Sequence, residues 1–97
     1  MTDTVLVGGI EYDVTIVRGL VDENGKGLDG HVRHAEQNIA LRDGMGLGYR
    51  HSTLLHEILH SILTQTGHHE AATEDLLDAI AFGLMTVRLD GVPLLNL

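Results

Sequence analysis

The first third of the chain alternates. Ile10, Tyr12, Val14 and Ile16 are separated by Glu11, Asp13 and Thr15, a period of two that predicts a strand with one face packed and one wet. Gly8-Gly9 parts this run from "TVLV", the pattern of a two-residue hairpin. "DENGKGLDG" is dense in Gly, Asp and Asn and predicts a loop. Beyond it, "HVRHAEQNIALRDG" predicts two short strands, at residues 30–34 and 38–41, with a turn at 35–37. "GMGLG" at 44–48 predicts a flexible connector.

From Tyr49 the period lengthens. Leu55, Ile58, Leu59 and Ile62 fall on one side of a helix, predicted over residues 49–66, with Ser52 or Thr53 as its cap and Gly67 as its end. A second helix is predicted from Glu70 or Thr73 to Leu89, over residues 70–89. Its apolar stripe is Leu76, Leu77, Ile80, Leu84 and Val87, and Asp90-Gly91 and Pro93 stop it. The tail "VPLLNL" is apolar enough to dock on the domain or meet another subunit, so a homo-oligomer or larger assembly is an expectation. Strands followed by helices predict a small α+β domain: an N-terminal antiparallel sheet of three or four strands in residues 1–41, then two packed helices.

Composition narrows the function classes. Ninety-seven residues make one domain with a modest core, and only Tyr12, Tyr49 and Phe82 are aromatic, so that core is aliphatic. A net charge of -8 without a basic stripe argues against nucleic acid and anionic membrane as partners. No signal-peptide pattern and no membrane-length apolar run is read in the sequence, which makes a soluble, cytoplasmic protein the expectation. Cysteine is absent, so a metal would be held by histidine and carboxylate.

The sequence offers such a set. In "STLLHEILHSIL", His56 and His60 stand four apart, one above the other on a helix, able to present two imidazoles to one tetrahedral ion. Glu57 is too far round the helix to bind the same ion easily but is placed to take a proton from water on it. The next helix carries Glu74 and Asp78, also four apart. Stripe-to-stripe packing of antiparallel helices would turn Glu74 toward the histidines, giving two imidazoles, one carboxylate and an open position: a hydrolytic zinc site. Asp78, His68, His69 and Glu70 are rivals for the third ligand, with Asp78 able to exchange roles with Glu74. His31 and His34 are expected to be surface residues, and residues 44–48 lack the lysine of a phosphate loop.

His56-Glu57-Ile58-Leu59-His60 followed by Glu74-Asp75-Leu76-Leu77-Asp78 and "AIAFG" resembles the gluzincin class of zinc metallopeptidases. More closely, the layout is similar to short phage-encoded metallopeptidase-like proteins, which would place it in the host cytoplasm. The resemblance implies a single minimal zincin-like domain, Zn²⁺ as cofactor, and a peptide or protein substrate. It implies His56, His60 and Glu74 as zinc ligands, Glu57 as general base, and Asp78 as the acid that orients a ligating histidine, His56. The strand before the active helix, residues 31–34 or 38–41, would be the edge along which an extended peptide lies. Tyr49, His68 and His69 are the candidates for stabilising an oxyanion. Two departures stand out: residues 61–73 make a tight connection between His60 and Glu74, and no second lobe is evident to wall a substrate cleft.

Overall fold

The computed structural model describes residues 3–93. Four strands form one sheet: β1 (Asp3–Val7), β2 (Ile10–Val17), β3 (Gly30–Arg33) and β4 (Asn38–Arg42). Helix α1 (Leu47–Gln65) follows, then a short 3₁₀ turn (His69–Ala71), helix α2 (Glu74–Met85), and a small hairpin of β5 (Arg88–Leu89) and β6 (Val92–Pro93). The small α+β class stands as predicted. Residues 94–97 of the apolar tail lie outside the described residues.

The sheet is mixed rather than wholly antiparallel. Its order is β1-β2-β4-β3, with β2 and β4 parallel and the other two pairs antiparallel. Burial explains the order. Ile39, Ala40 and Leu41 of β4 are all buried, which requires a neighbour on both sides and cover on both faces. β3, with His31 and Arg33, takes the edge instead. The loop between Val17 and Gly30 carries the chain past β4's place, and the β3–β4 hairpin brings β4 back alongside β2.

Turn chemistry follows the sequence closely. Gly8 and Gly9 both have positive φ (58° and 81°), as a primed two-residue hairpin requires, and Val7 pairs with Ile10 across it. The other end of this hairpin's anchorage is Gln65 on α1, whose Nε2 donates to the Val7 carbonyl at 3.1 Å and to the Tyr12 hydroxyl at 3.4 Å.

Val7, Tyr12, Val14, Ile39, Leu41 and Met45 form the buried cluster on the helix side of the sheet, with Leu54 and Ile58 of α1 packed on it. Met45 shows that the glycine-rich segment is an anchor as well as a connector. At Gly30 a side chain would press on Thr53 of α1 and the Ala40 carbonyl, so the glycine lets β3 approach the helix closely.

Helix ends differ from expectation at one terminus each. Gly46, not Ser52 or Thr53, precedes α1, and Thr53 instead donates to the Tyr49 carbonyl within the helix. The C-terminus closes as predicted at Gly67 (φ 79°): His68 N–H donates to Leu63 O and Gly67 N–H to Thr64 O, a Schellman pair. Thr73 caps α2 by accepting from Leu76 N–H, with Glu74 and Asp75 favourably placed in its first turn. α2 then stops at Met85 rather than Leu89. Asp90-Gly91, read as a helix stop, is the positive-φ turn of the β5–β6 hairpin.

α2 packs mainly on α1, making a third layer over the sheet. Leu77 and Ala81 are fully buried, whereas Leu76, Ile80 and Val87 of the predicted stripe are exposed. Ile62 of α1 is exposed as well. A helix resting on a single neighbour buries a strip narrower than its apolar face. No helix among the described residues is long and apolar enough to cross a membrane.

The Gly8–Gln65 contact yields a paired test. Gly8→Ala both strains the turn and displaces the Gln65 carboxamide, whereas Gly9→Ala meets open space and incurs only the backbone strain. Urea denaturation should show a loss of about 1 kcal/mol for Gly9→Ala and about 2–3 kcal/mol for Gly8→Ala. Equal losses would mean that the Gln65 clip contributes nothing.

Candidate metal centre

α1 divides its faces between two neighbours. Leu54 and Ile58 look to the sheet, while His56 and His60 meet α2. The two helices run antiparallel, so His56 lies level with Asp78 and His60 level with Glu74. The motif and the two acids of α2 are thereby brought together.

The donor atoms converge. His56 Nε2 lies 2.8 Å from Glu74 Oε2, His60 Nε2 lies 3.1 Å from Glu74 Oε1, and the two Nε2 atoms are 3.2 Å apart. Ligand atoms about 2.0–2.1 Å from a tetrahedral ion stand about 3.3 Å from one another. The spacing fits. His56, His60 and Glu74 could therefore hold a metal ion.

Asp78 sets the tautomer. Its carboxylate can only accept, and it lies 2.8 Å from His56 Nδ1, so Nδ1–H donates to it and the Nε2 lone pair faces Glu74 and His60. Asp78 thus orients a donor without being one. Burial lowers the pKa of His60, with Glu74 opposing, which favours the neutral imidazole that metals bind. His56 is nearly buried, whereas the Glu74 side chain is 71% exposed.

Glu57 is only 6% exposed. Burial pushes its pKa up to about 7, helped by Glu74 and opposed by His56. It lines an open cleft of about 1080 Å³ together with His56, Glu74 and Asp78. Two of the three donors, His56 and Glu74, therefore share an opening with the prospective base.

The remaining candidates lie as follows. Tyr49 lines the cleft, but its hydroxyl donates to Asp29, whose other oxygen receives Nε and Nη2 of Arg42. That bond raises the Tyr49 pKa and, with Arg42, lowers that of Asp29. His68 and His69 are exposed in the turn, outside the donor group and the cleft lining. His31 and His34 are half-buried rather than surface residues, because β3 is closely approached by neighbouring segments; His34 Nε2 lies 3.4 Å from Thr64 Oγ1. Residues 38–41 are in the sheet interior and offer no free edge, so of the two proposed strands only β3 does.

A second lobe proves unnecessary for a cleft. One wall is the segment from Gly27 to Gly30, and α2 supplies another with Ala79, Phe82 and Met85. Sequence reading overlooked Asp29 and Phe82. For Phe82 a signal existed: Glu74, Asp78 and Phe82 recur every four residues and share a helix face.

No protein-family model, no curated protein and no solved structure matches this chain.

Glu57 makes the metal-free protein pH-dependent. Its folded pKa, about 7, exceeds the ordinary glutamate value of 4.5, so the folded state holds the proton more tightly. The associated stability is complete below about pH 4.5 and lost as pH rises through 7. Glu57→Gln removes this loss. In chelator, urea melts should show the variant within about 0.5 kcal/mol of the parent at pH 4.5 but roughly 2–3 kcal/mol more stable at pH 8. A pH-independent difference would contradict the buried setting of Glu57.

Proposed function

We propose that this chain is a minimal zinc-dependent peptide hydrolase. The observation that carries the reading is the convergence of His56 Nε2, His60 Nε2 and the Glu74 carboxylate within 2.8–3.2 Å, beside a buried Glu57 in the same cleft. Two imidazoles and a carboxylate, at tetrahedral spacing and with no thiolate, suit zinc. Bound there, zinc supplies a Lewis acid for the scissile carbonyl and for the attacking water.

The chain's own groups supply the rest. Glu57 takes the water's proton on its carboxylate and delivers it to the leaving amide nitrogen. A proton affinity near neutrality serves both transfers. Asp78 keeps His56 in the ligating tautomer. The free edge of β3, with Gly30 in the cleft wall, offers main-chain hydrogen bonds to an extended peptide.

Metal analysis and a peptide-library digest test this together. The parent and Glu57→Gln should each carry one zinc per chain. The parent should cleave, and Glu57→Gln should cleave at least 100-fold more slowly. Glu74→Ala should lose both zinc and cleavage. Undiminished cleavage by Glu57→Gln would overturn the mechanism.

A second reading is a zinc-stabilised binding or structural protein without turnover. It is favoured by the slender apolar attachment of α2, whose buried residues are Leu77 and Ala81 alone. Under it, a chelator lowers the melting temperature by more than about 10 °C. The library then stays intact with or without chelator.

A further inference from the structure

Of three aromatic residues, only Tyr12 is in the core. Tyr49 and Phe82 are 57% and 71% exposed, and both line the cleft beside the donor triad. A phenyl ring so exposed adds little to the core and leaves apolar surface in water. Leu28 and Met85 extend that surface, while Gly27, Gly30 and Gly48 leave room around it.

The position of Phe82 connects this surface to the chemistry. It is four residues beyond Asp78 and eight beyond Glu74 on one helix face, about 12 Å along the axis from Glu74. The antiparallel register that sets His56 against Asp78 sets Phe82 near Ser52, one turn before His56. Three or four residues of extended peptide span the distance from the donors to the ring.

The polar part of the wall carries one sign. Asp29, Glu57, Glu74 and Asp78 line the cleft, and no Lys or Arg does. Arg42 reaches Asp29 from outside the lining. Away from the donor triad, no lining side chain offers a terminal carboxylate a cation, and acidic side chains there would face Asp29 and Asp78.

Resting on the hydrolase reading, we infer that the cleft selects an internal peptide segment with a bulky apolar side chain flanked by neutral or basic residues. Phe82 is its specificity-determining residue. The apolar side chain lies against Phe82 and Met85, and the flanking cations face the acidic wall.

Binding tests this without turnover. The probe is zinc-loaded Glu57→Gln with fluorescein-Arg-Gly-Leu-Phe-Gly-Arg-amide, read by anisotropy. Two comparison peptides replace both Arg by Glu, or Leu-Phe by Ala-Ala. The first peptide should bind at least tenfold more tightly than either, and its advantage over the Glu peptide should shrink in 0.5 M salt. Adding Phe82→Ala should remove the advantage over the Ala-Ala peptide. Phe82→Leu should keep most of it, which separates lost contact from lost fold. Leu6→Ala, at an equally exposed residue on β1 outside the cleft lining, should change nothing. Equal affinity for the three peptides, or an unchanged preference in Phe82→Ala, overturns the inference. Cleavage by the parent chain is scored separately. Selective binding without cleavage sinks the hydrolase reading and spares the specificity, and cleavage without selectivity does the reverse.

Discussion

The site depends on one register: α1 and α2 lie antiparallel with His56 level with Asp78 and His60 level with Glu74. Leu77 and Ala81, fully buried, hold α2 at that height. The small Ala81 side chain lets the helices come close enough for short acids to reach imidazoles. A slip of one turn would set Glu74 beside Thr64 and Asp78 beside His60, so that Asp78 took Glu74's place and His56 lost the acid at its Nδ1. Everything chemical in the molecule is downstream of that packing. Beneath it, Leu54 and Ile58 fix α1 to the sheet, so the histidine-bearing helix is itself rigidly based.

The local features were legible where one residue type answers one geometric need. Gly8-Gly9 reads as a hairpin because both positions require positive φ, and Gly67 reads as a helix end for the same reason. Four-residue spacing placed His56 above His60 and Glu74 above Asp78, but it left the two acids interchangeable, and only the resemblance gave them separate parts. Longer-range facts were not written in any short window. Alternation in β2 and the short apolar run of β4 say that strands exist but not which lie side by side, so their parallel pairing had no local signal. The apolar face of α2 was read too broadly, since Leu76 and Ile80 are as hydrophobic as Leu77 and yet remain in solvent. The Asp90-Gly91 pair stops a helix and turns a hairpin equally well, and only tertiary context chose between them.

The cleft answers the apparent want of a second lobe. Its walls come from residues the fold needs anyway: the entry into β3 and the outer flank of α2. Gly30 brings β3 close to Thr53, so the edge strand and α1 form a corner, and α2 closes the third side. Asp29, joined to Arg42 and Tyr49, pins that corner together. Its carboxylate sits in the lining but is occupied by these partners, as those of Glu74 and Asp78 are by the histidines.

The two sides of the candidate donor group are unequal in exposure. Imidazoles on α1 are sunk in the middle layer with 10% and 19% of their side chains exposed, while the carboxylates of Glu74 and Asp78 on the outer layer are more than 70% exposed. An ion held there would rest on two seated nitrogens and be closed in by an arm that solvent can loosen. Exchange would be governed by how often that outer arm swings away, at the glycine-ended turn preceding it, rather than by any loosening of the sheet.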